Sequence, residues 1–190
     1  MRLVILGGPG AGKGTQAAQL SLKLGIPLIS TGEILRTAIA CRDSDGECQT
    51  ELGRQAQAYV ERGELVPDEI IIEFIRQRLL QPDVIKGWIL EGYPRTAFQA
   101  EELDFLLEEL NQHLRYALFL DVPEPVMVER SLNRARPDDT PETIQRRLTA
   151  LQERTLPILE YYEMRDRLLR INGDQAIAEV QQEILQKLQA

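Results

Sequence analysis

Leu3-Val4-Ile5-Leu6 runs directly into Gly7-Gly8-Pro9-Gly10-Ala11-Gly12-Lys13-Gly14-Thr15. Four consecutive apolar residues bounded by glycine predict a short strand buried on both faces. From Lys13 the apolar spacing turns helical through Leu24, and Pro27 closes that segment off. Glycines placed between a strand and a helix let the backbone wrap tightly, so that consecutive N–H groups point inward at an anion. The helix N-terminus adds a partial positive charge at the same spot. Lys13 is then placed to reach the outer phosphates of a nucleoside triphosphate. This is a phosphate-binding loop in the strand–loop–helix context that such a loop requires. It departs from the common pattern at one point, because Gly14 follows the lysine and the hydroxyl arrives one residue later, at Thr15. A purely structural glycine turn does not account for a lysine at this junction.

Working outward, short apolar runs alternate with helical stretches, the signature of parallel strands joined by crossover helices. Strands are predicted at Leu3–Leu6, Leu28–Ile29, Trp88–Leu90, Tyr116–Leu120 and Leu168–Ile171. Helices are predicted at 13–24, 31–40, 52–62, 68–80 with an Asp cap, 97–110 and 124–133. A long helix opens at Thr140-Pro141-Glu142, with proline in its first turn, and a last helix covers 176–188. The expected fold is a P-loop NTPase-type three-layer α/β domain, with a five-stranded parallel sheet and helices on both faces. Ligands of such sheets bind at the carboxyl ends of the strands. Every motif described below falls just after one of those ends.

The net charge of −8 argues against a nucleic-acid binder, which needs a basic face. It permits a phosphate ligand if the cations are gathered at one site. No apolar run is long enough to span a membrane, and the N-terminal apolar stretch is too short for a signal peptide. The expected location is the cytoplasm and the expected state a monomer. The two cysteines, Cys41 and Cys48, make neither a disulfide framework nor a four-ligand zinc site. They are expected to be thiols, with a redox pair as the alternative. His113, the one histidine, is assigned no catalytic role.

The phosphate loop leaves open what happens to the phosphate. Three further segments bear on that. Ser30-Thr31-Gly32-Glu33-Ile34-Leu35-Arg36 follows the second strand, with Gly63-Glu64-Leu65-Val66-Pro67-Asp68-Glu69 further on. Glu91-Gly92-Tyr93-Pro94-Arg95-Thr96, with Gln99 one turn later, follows the third. Arg130, Arg134, Arg136, Arg146 and Arg147 surround a short segment, Arg134-Ala135-Arg136-Pro137-Asp138-Asp139. In these motifs, and over essentially its whole length, the chain closely resembles the adenylate kinase family in its short-lid form.

The resemblance implies reversible phosphoryl transfer between ATP and AMP, giving two ADP, with Mg2+ accompanying ATP. Thr31, Arg36, the backbone of Glu64, Leu65 and Val66, Gly92, Tyr93, Pro94, Arg95 and Gln99 would hold AMP. Arg36 and Arg95 would grip its phosphate, a task suited to the arginine fork. Gln99 would read the adenine edge, since one carboxamide offers a donor and an acceptor. Gly8, Pro9, Gly10, Ala11, Gly12, Lys13, Gly14 and Thr15 would hold ATP, with Arg130 against adenine, Arg134 at the phosphates, and Gln175 and its neighbours contributing backbone. Lys13, Arg95, Arg134, Arg136 and Arg147 would form the catalytic set, Arg136 and Arg147 bridging both nucleotides. The AMP-binding segment is expected at 30–66 and the lid at 134–140, both closing over substrate. So short a lid carries no structural zinc.

The sequence also departs from the family pattern. Glu33 and Glu91 stand where its members usually have Asp, and are expected to hold magnesium-bound waters and not the metal itself. Ala135 stands where Gly is frequent, and the residues around 41–48 form an extra stretch. Three other readings remain open at this point: a UMP or CMP kinase, a P-loop GTPase switch, and a nucleotide-binding module without catalysis. The switch lacks a guanine-reading Asn-Lys-x-Asp segment, and the module has no need for so many arginines.

Overall fold

The computed structural model describes residues 1–41, 50–134, 136 and 138–189. Its strands are β1 (Arg2–Leu6), β2 (Leu28–Ser30), β3 (Trp88–Glu91), β4 (Tyr116–Asp121) and β5 (Leu168–Asn172). They form one five-stranded sheet in the order β2-β3-β1-β4-β5, and every neighbouring pair is parallel. Parallel strands need crossover connections, and helices supply them. These are α1 (Lys13–Leu24), α2 (Thr31–Ala40), α3 (Glu51–Arg62), α4 (Asp68–Leu79), α5 (Ala97–Glu109), α6 (Glu124–Arg134), α7 (Pro141–Ala150), α8 (Pro157–Glu163) and α9 (Ile177–Gln189).

Side chains alternate across a strand, so a strand buried on both faces feeds two cores. In β1, Val4 and Leu6 face one core with α4, α5 and α8, through Ile75, Leu103 and Ile158. Leu3 and Ile5 face the other with α1, α7 and α9, through Leu20, Ile144 and Ile184. The three-layer α/β reading and the five strands are therefore as expected. Among the described residues, no helix is long and apolar enough to cross a membrane.

Two local expectations are corrected. The helix opened by Thr140 does begin as foreseen, with Pro141 in its first turn and a Thr140–Thr143 capping box. It is not one continuous α-helix, because Leu151–Thr155 is a π-turn that separates α7 from α8. Pro157 supplies a reason: it has no N–H for a regular bond and its ring crowds the preceding turn. The backbone widens instead, and the Leu156 N–H bonds to the Leu151 carbonyl at 2.8 Å. Asp68, in turn, is not the cap of α4. That position belongs to Pro67, with no side-chain cap bond. The extra stretch lies outside the described residues apart from Cys41, as does any pairing of Cys41 with Cys48.

Candidate active site

β1, β2, β3 and β5 all deliver their carboxyl ends to one cleft of about 1090 Å³. After β1 the chain enters the phosphate loop. Gly10 has φ 73° and Gly12 φ 89°, left-handed values that turn the local N–H groups inward. Gly10 is also required by space, since a Cβ there would run into the Met127 carbonyl oxygen and the Ser131 hydroxyl. The loop is thus clamped between its own helix and α6. Lys13 Nζ donates to the Gly8 carbonyl at 2.7 Å and lies 4.0 Å from Glu91 Oε1. Burial pulls the Lys13 ammonium down to about 8, Arg95, Arg134 and Arg147 push the same way, and Glu91 opposes them. At that separation the carboxylate does not offset the desolvation.

After β3 the backbone turns at Gly92, with φ 87°, where a Cβ would collide with the Thr31 hydroxyl. That close approach brings β2 and β3 chemistry together. Ser30 Oγ donates to Glu91 Oε2 at 2.6 Å, and Thr31 Oγ1 to the Glu91 carbonyl at 3.1 Å. Burial alone would raise the Glu91 carboxyl. Lys13, the Ser30 hydroxyl, Arg95 and Arg36 together hold it below its ordinary value. Arg95 Nε donates to the Gly92 carbonyl at 2.8 Å. Burial lowers the Arg95 guanidinium, Arg147 and Arg36 add to this, and Glu91 resists. An arginine so treated still keeps its proton.

Gln99, only 2% exposed, has its carboxamide gripped from two sides. Its Oε1 accepts from the Arg95 N–H at 2.7 Å, and its Nε2 donates to Asp68 Oδ1 at 2.6 Å. At the end of α6, Arg134 makes a two-pronged contact with Asp139 at 2.9 and 2.8 Å. Arg147 bonds Asp139 at 3.1 Å and also Asp138. Arg130 donates to the Gly173 carbonyl at 2.9 Å, which joins α6 to the segment after β5. Gln175 is tied to the Asn172 carbonyl and to Glu183, each at 2.9 Å.

The residues expected from the sequence converge. Gly8 to Thr15, Thr31, Glu33, Arg36, Glu64, Leu65, Val66, Glu91, Gly92, Pro94, Arg95, Gln99, Arg130, Arg134, Arg136, Arg147 and Gln175 all line the cleft. Tyr93 does not. Its ring is 1% exposed in the core, and its hydroxyl donates to the Gln99 carbonyl at 3.0 Å. A large aromatic gains more from burial, provided its hydroxyl finds a partner. Four residues with no expected role at the site also belong here: Ser30, Asp68, Asp138 and Asp139. Each holds another side chain; Ser30 and Asp68 lie inside the motifs quoted above and the Asp-Asp pair beside two arginines, but none of these signals names the partner. Seven cationic side chains and four acidic ones line the cleft among the described residues, so a chain of net charge −8 concentrates its cations where phosphates would lie. Among those residues, no group of three or more His, Cys, Asp or Glu side chains could hold a metal ion.

Comparison with known proteins agrees with this geometry. The family model for adenylate kinase matches residues 5–167. Adenylate kinase 2 of Nostoc sp. is 62% identical over 188 residues, covering 99% of this chain and 98% of its own. Adenylate kinase 2 of Synechocystis sp. is 55% identical over 188 residues, covering 99% and 100%. An adenylate kinase of Stenotrophomonas maltophilia is 44% identical over 194 residues, with both chains covered in full. A phosphate loop and six arginines lining one cleft, within a chain matched almost end to end, place this protein in the adenylate kinase family.

Proposed function

We propose that the protein transfers the terminal phosphoryl group of ATP to AMP, reversibly, giving two ADP. The observation that carries this is the make-up of the cleft, which gathers a phosphate loop, a carboxamide pinned from two sides and six arginines in one lining. Phosphoryl transfer asks little acid–base chemistry of the protein, so positioning and charge neutralisation supply the rate. Lys13 and the loop amides hold the donor phosphates. Arg36 and Arg95 hold the acceptor phosphate, and Gln99 meets the acceptor base. Arg134, Arg136 and Arg147 neutralise the charge that spreads over the group in transit. Asp138 and Asp139 keep Arg134 and Arg147 aimed.

The oxygen donors at the mouth of the loop suit Mg2+, which takes one or two carboxylates, several waters and substrate phosphates in place of an all-protein cage. Glu91, Glu33 and Thr15 would hold it, Glu91 and Glu33 through its waters. Held there, the ion would supply positive charge to offset that of the outer phosphates. In this reading 30–66 is the AMP-binding segment and 134–140 the lid. The protein works as a monomer on free nucleotides in the cytoplasm. The test is ADP formation from ATP with AMP, UMP, CMP or GMP, each with and without magnesium. AMP with magnesium is expected to be fastest by a wide margin, and faster turnover of UMP or CMP would overturn the assignment.

A further inference from the structure

We propose that Asp68 fixes which way the Gln99 carboxamide faces, and so sets the preference for a 6-amino over a 6-oxo purine monophosphate; this rests on Gln99 meeting the acceptor base. The oxygen and nitrogen of a carboxamide are nearly the same size. A half-turn about the terminal bond exchanges donor and acceptor without steric cost. Left alone, a glutamine would therefore serve adenine or hypoxanthine equally. Adenine presents an amine at C6 and an acceptor at N1, and a 6-oxo purine presents the reverse. Only a glutamine that cannot turn tells them apart.

At Gln99 the turn is blocked by two neighbours of opposite kind. The Arg95 N–H, 2.7 Å from Oε1, can only donate. The Asp68 carboxylate, 2.6 Å from Nε2, can only accept. An inverted amide would set N–H against N–H and oxygen against carboxylate. The side chain is 2% exposed, so solvent does not relieve the mismatch. One N–H and one lone pair are left over for a ligand, in a fixed order. With AMP as the acceptor, that order is oxygen toward the 6-amine and N–H toward N1, and a 6-oxo purine needs it inverted.

Asp68 has an ordinary explanation that predicts something else. An acid in the first turn of a helix is favoured by the helix dipole, and Asp68 is the first residue of α4. Yet Oδ1 is directed at a residue 31 positions away, and the cap position, Pro67, makes no side-chain bond. If Asp68 served only the helix, replacing it would affect both purines alike.

The experiment compares kcat/KM for AMP and for IMP at saturating ATP, and the inhibition of AMP turnover by IMP. It uses the wild type, Asp68→Ser and Asp68→Asn. Serine suits a helix start but is too short to reach Gln99, and asparagine keeps the shape and one oxygen acceptor without the charge. The AMP-over-IMP ratio is expected to fall about 10-fold or more in Asp68→Ser, the scale of a lost charge-assisted hydrogen bond. It should fall less in Asp68→Asn, with the KM for ATP unchanged in both. An unchanged ratio, or equal losses for both purines, overturns the proposal. Gln99→Ala separates the two levels. If it too leaves the ratio and the AMP affinity at wild-type values, the base-reading role of Gln99 fails. If it collapses them while the Asp68 variants do not, only the role of Asp68 fails.

Discussion

At the scale of single residues, the cleft places a cation where it is hard to keep. Lys13 titrates at about 8, chiefly because it is buried and secondarily because three arginines surround it. Lys13→Met should lower turnover about 10²-fold or more, as expected for one preorganised electrostatic group. The fold should survive, since a poorly solvated cation has been removed, and a melting curve alongside the assay checks both parts. The same depressed value predicts that kcat/KM for ATP declines as pH rises through about 8, because that parameter reports the free enzyme. Unfolded, the lysine keeps its proton to higher pH, so between the two values the unfolded state binds more protons and stability rises with pH. A decline in that window is thus not unfolding; a flat profile would remove Lys13 from the phosphate site. Glu91 makes a second case. It is one methylene longer than aspartate, and Ser30 takes up that length at 2.6 Å. Glu91→Asp should therefore impair magnesium-dependent turnover, by about 10–100-fold if it acts as outer-shell acids commonly do. Titrating magnesium against initial rate tests this, and an unchanged or higher rate would mean that the longer acid is merely tolerated.

At the scale of elements, the π-turn Leu151–Thr155 connects packing to the site. It turns Thr155 so that Oγ1 donates to the Arg95 carbonyl at 3.0 Å, and it seats Leu151 against Gly8 of the phosphate loop. Thr155 is 7% exposed, so Thr155→Val should leave a part-buried carbonyl without this partner. The expected cost is about 0.5–1.5 kcal/mol, a fall in Tm of one to several degrees for a chain of this size, at about 2–4 °C per kcal/mol. Thermal unfolding measures it, and an unchanged Tm would show that the bond contributes nothing. This element also marks the limit of the sequence reading. Strands and helices were legible because each carries its own periodicity and punctuation, as in Leu3–Leu6 before the glycines or Thr140-Pro141 before α7. The π-turn has the same apolar spacing as a helix, and only Pro157 hints at it. Cleft residues were legible where glycines or clustered arginines marked them. The burial of Tyr93 is not legible, because its motif says which segment is at the site but not which side of the backbone each residue faces. The grips of Asp68 on Gln99 and of Ser30 on Glu91 are not legible, because each joins residues distant in sequence and no local pattern records such a pairing.

At the scale of the whole molecule, the cleft must exclude water, or ATP would be hydrolysed in place of being used. Adenylate kinase is itself a standing example of a lid that closes over its substrates. Here the segments expected to move already touch through α3 and α7. Arg146 Nη1, on α7 beside the lid, donates to the Arg62 carbonyl at the end of α3 at 2.9 Å. Gly63, the next residue, packs against Thr143, so closely that an added Cβ would lie 3.1 Å from its side chain. These contacts predict that closure of one wall should bear on the other through α3 and α7. An analogue that joins ATP and AMP should protect both 31–66 and 134–140 from hydrogen exchange, while the central sheet changes little. Analogues that fill only one end should protect the near wall more than the far one. Arg146→Ala should then weaken what protection the far wall does receive, without altering protection by the joined analogue, which contacts both walls directly. Tight binding with no change in exchange at either segment would rule out closure. Equal far-wall protection in wild type and variant would show that the Arg146 contact transmits nothing.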